Sequence, residues 1–306
     1  MKFAKFVQTN SKDPMKKIIS LLFFLAAVMG HAQLLWKVSG GSLKEPSYLF
    51  ATYHLMPGSF VDSVPGLNAA IKRVDCALVE IENEKMTAPA TVKKMGEWMI
   101  APTDSTIDVL LSKEAYQIVD AVVKRYLGDF GISLDKLKTM RPSALEAQFQ
   151  QLMAIKMLGG INPNNLLDSE VERRVEALGK PVHSLETVDF QLQMLFGKPL
   201  NRQAADLLET CKNIDEVEQV FNDLHSAYTS QNFRKLMLAA TNPVSMNEAD
   251  MEQYCFQRNE RWMPAITEAM KRGSVLVAVG AAHLGMEKGL IALLRQQGYT
   301  IEPVTK

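Results

Sequence analysis

The sequence predicts an α/β fold, a central mixed β-sheet carrying a large and mostly helical insertion over about residues 86–270. Three observations predict it. Apolar, aromatic and β-branched runs lie near both ends of the 306-residue chain, and helical periodicity punctuated by glycine and proline fills the middle. The third is Ser274 to Gly298, which reads as a strand, a small-residue turn carrying His283, and a helix closed by glycine.

Residues 1–32 are set apart from the fold. Met15-Lys16-Lys17 forms a basic start, Ile18 to Met29 an apolar run, and Gly30-His31-Ala32 places small residues before Gln33. That is the layout of a secretory signal peptide cut between Ala32 and Gln33. The apolar run is shorter than the roughly 20 residues of a membrane-spanning helix, and no later segment is long and apolar enough to span. The expectation is an exported product, periplasmic or extracellular, with residues 33–306 forming a single domain.

Removing residues 1–32 takes away five lysines and one aspartate, which turns 34 basic and 34 acidic residues into 29 and 33. A weakly acidic chain without a basic run gives no footprint for nucleic acid. Cys76, Cys211 and Cys255 are widely spaced and outside any CxxC pattern, so they make neither a disulfide framework nor a zinc ribbon. Cys76 reads as a small core residue.

Leu34 to Ser39 and Ser47 to His54 read as two strands of a hairpin joined through Gly40-Gly41 and Pro46. Leu67 to Arg73 follows as a short amphipathic helix. Cys76 to Glu82 is predicted as a strand in which Glu80 and Glu82 share a face, since side chains alternate with period two. In the helical middle, Ser112 caps a helix stapled by Leu111 and Tyr116 and ended by Gly128. Pro142 opens another that runs to Gly159-Gly160, and Leu167 to Leu178 is a third, closed by Gly179. Pro181 to Leu185 reads as a strand returning to the sheet, and Thr187 starts a further helix. Ser245 with Glu248 forms a capping box for a long helix kinked at Pro264. Val275 to Val279 suits a central strand covered on both faces, and Tyr299 to Val304 an edge strand, given Pro303.

Four residues are candidates for chemistry: His54, Glu80, Arg258 and His283. His54 and His283 each follow a strand through a four-residue step, Ala51-Thr52-Tyr53-His54 and Gly280-Ala281-Ala282-His283. Glu80 ends another strand. In an α/β sheet, ligands gather beyond the carboxyl ends of the strands. If the three strands are neighbours, two imidazoles and a carboxylate converge there and can hold a divalent ion, which would supply a hydroxide near neutral pH. A metal-free site is the other possibility, with a histidine beside Glu80 as general base and Arg258 holding an anionic or carbonyl group. The alternative for each histidine is a structural role. His183 and His225 read as core or surface histidines, and the methionines from Met140 to Met157 as core filling.

Six separated segments resemble, in order, those of the TraB/GumN family, also called TIKI-like or PrgY-like. They are LLWKVSG with SYLFATYHLMPGS at 34–59, CALVEIE at 76–82 and MRPSALEAQ at 140–148. LLDSEVERRVEALGKPVHSLETVDFQ at 166–191, CFQRNERWMPAI at 255–266 and VAVGAAHLGMEKGLIALLRQQGY at 277–299 complete the set. The resemblance implies a TIKI-type fold related to erythromycin-esterase-like proteins. It also implies a metal-dependent hydrolase acting on a peptide or small-molecule substrate, first of all a peptidase, with manganese or cobalt by family habit and zinc as another option; the alternatives are a non-catalytic protein of the same fold that binds a peptide or small ligand, and a metal-free esterase-like hydrolase. On the matching positions, His54, Glu80 and His283 become metal ligands or catalytic groups and Arg258 an oxyanion or carboxylate contact. Glu186 is a further candidate. One departure is Ala51, where the first Gly-x-x-His motif has glycine; a glycine needed for positive φ would leave alanine strained.

Overall fold

The computed structural model describes residues 33–158, 162, 165–244 and 246–305. The signal-peptide segment, Gly159-Gly160 and Ser245 lie outside the described residues. Six strands form one sheet: β1 Leu35–Gly40, β2 Ser47–Thr52, β3 Cys76–Val79, β4 Val182–Ser184, β5 Val275–Gly280 and β6 Tyr299–Pro303. Their order is β4-β3-β5-β2-β1-β6. β4, β3, β5 and β2 run parallel, while β1 pairs antiparallel with both β2 and β6. The chain thus leaves β3 for β4 at the edge and returns to β5 between β3 and β2, the kind of topological switch that opens a crevice at the strand ends.

The apolar runs explain the placement of the strands. β2 is buried along its whole length and β5 at every residue but Gly280, as two-sided burial in a parallel sheet requires. Ala51 sits inside regular β2 opposite Val279, with its N–H bonded to Leu34 O at 2.8 Å. Its φ is not positive, so alanine costs no strain there. The hairpin, the Leu67–Arg73 helix, the returning strand β4 and the edge strand ending at Pro303 are all as the pattern predicts.

β3 is shorter than predicted. It stops at Val79, and Glu82 caps the Asn83–Thr87 helix instead of continuing the strand. The cause is a contact from β4 together with a neighbouring lysine: Ser184 Oγ accepts the Glu82 N–H at 3.0 Å and Lys85 pairs with the Glu82 carboxylate, so the chain turns after Ile81. Glu80 and Glu82 therefore do not share a strand face.

The helical middle has its own apolar cluster, including Ile107, Val119, Phe149 and Met153, apart from the main cluster on the sheet. The Lys113–Leu127 helix is capped by Ser112, whose Oγ accepts from Ala115 N at 3.2 Å. Near the long helix the described cap is Asn247, which accepts the Asp250 N–H at 3.0 Å. From there the chain forms a π turn over Glu252–Phe256 and an α-helix, Gln257–Arg272, that continues through Pro264. The break in α geometry thus precedes the proline, and it lies next to Arg258. π turns of this kind often mark functional sites. Cys76 is half-buried, Cys211 and Cys255 are buried, and all three are free thiols.

One buried bond ties the helical part to the sheet. Tyr228, on the Ile214–Thr229 helix, donates its hydroxyl to Ala51 O at 2.7 Å, and both residues are fully buried. Replacing Tyr228 by phenylalanine leaves that carbonyl unpaired and is expected to cost about 1–3 kcal/mol of stability, read by urea denaturation. An unchanged midpoint would show that the bond does not contribute.

Candidate functional site

The three adjacent parallel strands β2, β5 and β3 end in His54, His283 and Glu80, respectively, and the sheet brings these groups together. Glu80 is the first residue past β3, His283 closes the Ala281–His283 3₁₀ turn after β5, and His54 lies two residues past β2. Glu80 Oε1 accepts the Gly280 N–H at 3.0 Å and stands 3.7 Å from His283 Nε2.

Arg258 is at the centre of the cluster. Its Nε donates to Glu186 Oε2 at 3.0 Å; Nη1 donates to Tyr254 O at 2.9 Å and to His283 Nε2 at 3.1 Å. Nη2 donates to Glu186 Oε1 at 2.6 Å and to Glu80 Oε2. A guanidinium has five N–H donors, and all five are engaged. Arg258 therefore holds side chains in place and has no free N–H to offer an oxyanion. Glu186 joins the site as the second carboxylate on Arg258, and it also accepts from Trp262 Nε1 at 3.3 Å. The Trp262 ring underlies both Arg258, at 4.7 Å, and His283, at 4.5 Å.

These contacts fix the tautomer of His283. Asn259 Nδ2 donates to His283 O and Lys288 O, each at 3.0 Å, which turns its Oδ1 toward His283 Nδ1 at 2.8 Å. Nδ1 thus carries the proton and Nε2 accepts from Arg258. The ring is 4% exposed. Burial, aided by the Arg258 charge, pushes its pKa down to about 3, against the pull of Glu80, so the imidazole stays neutral. For Glu80, burial alone would raise the pKa. The Arg258 charge, with that of His54 and the Gly280 N–H, outweighs burial, and the carboxyl stays well below the usual range. With His283 neutral, Arg258 is the permanent part of that field.

His54 has a partner that its sequence neighbours do not reveal. Its Nδ1 lies 3.1 Å from Asp168 Oδ2. Asp168 opens the Leu167–Glu176 helix, and two backbone bonds pin that helix start beside the His54 turn: Leu167 N to Met56 O and Gly58 N to Asn165 O, both 2.9 Å. Position 58 must be glycine for this approach, since a Cβ there would stand 2.9 Å from Glu170 Cβ and closer still to Asn165 Oδ1. The Asp168 charge is the largest influence on His54 and raises its pKa above the ordinary value. The His54 side chain is 65% exposed, so solvent screens part of that rise. Burial pushes the Asp168 carboxyl up, but His54 outweighs it and the carboxyl stays ionised.

Gly280 leaves the space these groups share. A Cβ on it would lie 3.3 Å from Glu80 Oε1, 3.6 Å from His283 Cδ2 and 3.8 Å from His54 Nε2. Its own φ is −49°, so the glycine is needed for room rather than for backbone freedom. His183 is exposed on β4 and His225 half-buried on the Ile214–Thr229 helix, both outside the cluster.

The profile of the TraB/PrgY/gumN family matches residues 34–303. The chain belongs to the TraB/PrgY/gumN family. Two curated relatives are similar to it: a "Metalloprotease TIKI homolog" of Amphimedon queenslandica, 22% identical over 87% of the chain, and "Metalloprotease TIKI2" of Danio rerio, 22% identical over 88%. The chain spans about 60% of the length of each. No solved structure gives a significant match.

The relatives' names imply a metal, and the donor types in this TraB/PrgY/gumN member partly suit one. His283 bonds Asn259 through Nδ1, as metal-bound histidines bond an orienting group, and His54 Nδ1 stands at ion-pair distance from Asp168 without hydrogen-bond alignment. The remaining lone pairs are engaged otherwise. His283 Nε2 accepts from Arg258, and Glu80 accepts from Gly280 and Arg258. Among the described residues no three His, Cys, Asp or Glu side chains are grouped to hold an ion. As arranged, then, Glu80, Glu186 and His283 form a hydrogen-bonded cluster around a guanidinium, with His54 beside it against Asp168.

A histidine kept neutral in the fold leaves a signature in stability. Below about pH 6.5 the unfolded chain protonates His283 while the folded chain does not, down to about pH 3. The unfolded state then binds more protons, so this residue makes stability fall as pH falls. Comparing wild type with His283→Gln from pH 6.5 to 4.5 should show a difference in slope of up to about 1.4 kcal/mol per pH unit, by urea denaturation at each pH. Parallel curves would mean that His283 takes up its proton in the folded protein.

Proposed function

We propose that this chain is a hydrolase in which His54, oriented by Asp168, acts as general base on a water beside Glu80 and Gly280. The observation that carries the proposal is the His54–Asp168 contact at 3.1 Å, with the far nitrogen, Nε2, facing Glu80 over a glycine at the ends of parallel strands. The name of the relatives supports hydrolysis of a carbonyl bond, and a peptide or a small amide or ester is the substrate class proposed. The apolar segment before Gln33 supports action outside the cytoplasm. Among the described residues no helix is long and apolar enough to cross a membrane.

In the proposed step, neutral His54 takes a proton from water at Nε2 as the water oxygen bonds to the substrate carbonyl carbon. The carbonyl π electrons move to its oxygen. When the tetrahedral species collapses, the bond to the leaving group breaks and His54 returns the proton to that group. Asp168 steadies the transient imidazolium. Glu80 accepts hydrogen bonds at the edge of the water's space, and Arg258 fixes Glu80 while contributing a positive field to the developing negative charge.

A second reading is favoured by the Nδ1 contacts of both histidines. In it His54, Glu80 and His283 would hold a divalent ion (manganese, cobalt or zinc), which would supply a hydroxide near neutral pH. The two readings separate on chelation with EDTA. The first expects peptide or ester hydrolysis to survive it; the second expects loss, with recovery on adding one of these ions.

The pH profile follows from the raised His54 pKa. The protonated ring cannot act as base, so kcat/KM should rise with pH through an apparent pKa above about 6.5. Asp168→Asn should move that inflection down toward the ordinary histidine value and lower the plateau, while His54→Ala should lower the rate by about 10²–10⁴-fold. Full activity in His54→Ala would remove His54 from the reaction.

A further inference from the structure

The helical middle builds a cavity against the turn that carries His54. It measures about 130 Å³, and its walls include Tyr53 and Leu55, the residues on either side of His54. Phe149, Val217 and Phe221 line the helical side, and Glu146 with Thr210 forms its polar edge. Phe149 belongs to the second apolar cluster, so the cavity lies where that cluster meets the end of β2. Its volume is comparable with the roughly 150 Å³ apolar cavities that admit a benzene ring. Met153, Val220, Leu224 and Val244 complete an apolar lining.

We propose that this cavity receives one leucine- or phenylalanine-sized apolar side chain of the substrate. The inference rests on the hydrolase reading for the position of the cleaved bond, but occupancy of the cavity is separable from turnover. An acidic side chain is disfavoured by the Glu146 carboxyl at the edge. A basic one finds that carboxyl already accepting from Thr210 Oγ1 at 2.5 Å and the rest of the lining mainly apolar. The helical insertion would thus select the substrate while the sheet ends carry out the reaction.

The test is calorimetric titration of the chain from Gln33 onward with the N-acetyl methylamides of leucine, alanine, aspartate and lysine. The leucine probe should bind roughly tenfold or more tightly than the alanine probe, from the extra apolar surface it buries. Val217→Phe fills the cavity and should abolish that preference, with an unchanged circular dichroism spectrum as the folding control. Leu224→Phe fills the cavity from another wall and should also abolish the preference, with the same folding control. This second variant decides the matter if Val217→Phe does not fold. Equal binding of leucine and alanine, tightest binding of lysine or aspartate, no binding of leucine, or a leucine preference kept in a folded cavity-filling variant would overturn the proposal. Leucine preference without any hydrolysis would keep the cavity and remove the hydrolase reading. Hydrolysis dependent on His54 without leucine preference would do the reverse.

Discussion

The site depends on one cation buried among acceptors. Arg258 reaches two carboxylates, a backbone carbonyl and an imidazole, from four stretches of chain that are far apart in sequence. Its side chain is 6% exposed, and those of Glu80 and Glu186 are 12% and 6%. Buried charges persist only when paired and fully hydrogen-bonded, and losing one partner of such a pair is strongly destabilising. The guanidinium therefore fixes the carboxylate at the end of β3, keeps His283 neutral and orders the start of the Gln257–Arg272 helix. The π turn before that helix brings Tyr254 O within reach of Nη1.

The sheet supplies the rest of the geometry. β5 lies between β3 and β2, so anything at its end touches what the two neighbours carry. The two Gly-x-x-His motifs then differ for a physical reason. Position 51 lies within a strand whose neighbours leave room for a methyl group, whereas position 280 lies beneath Glu80, His283 and His54. Neither has positive φ. Alanine is consistent with the fold at the first position, while at the second it would crowd the place where water is proposed to sit.

Much of this was legible in the chain itself. The β-branched run at Val275 to Val279 is too apolar for a half-exposed strand, which placed it centrally, and the run from Ser47 read as a hairpin strand, so His54 and His283 both fell at strand ends. Glu80 and Arg258 were readable from the same resemblance that named the family. Asp168 was not: it sits in a segment quoted for that resemblance, yet its approach to His54 depends on backbone bonds between Met56–Gly58 and Asn165–Leu167 that no periodicity encodes. Asn259 adjoins Arg258 in sequence, but its task follows from two carbonyls that fix its amide. The error at Glu82 has the same origin, because a serine hydroxyl on another strand ended β3 early.

The central claim is that Arg258 donates to the Nε2 lone pair of a neutral His283. The most direct measurement is a long-range proton–nitrogen NMR correlation on the imidazoles, with His283→Gln identifying the signal. The account predicts Nδ1 protonated and Nε2 bare at pH 7 and still at pH 4.5, unchanged by EDTA or by manganese, cobalt or zinc. A His283 imidazolium at pH 7, a proton on Nε2, or a signal displaced by stoichiometric ion would contradict it.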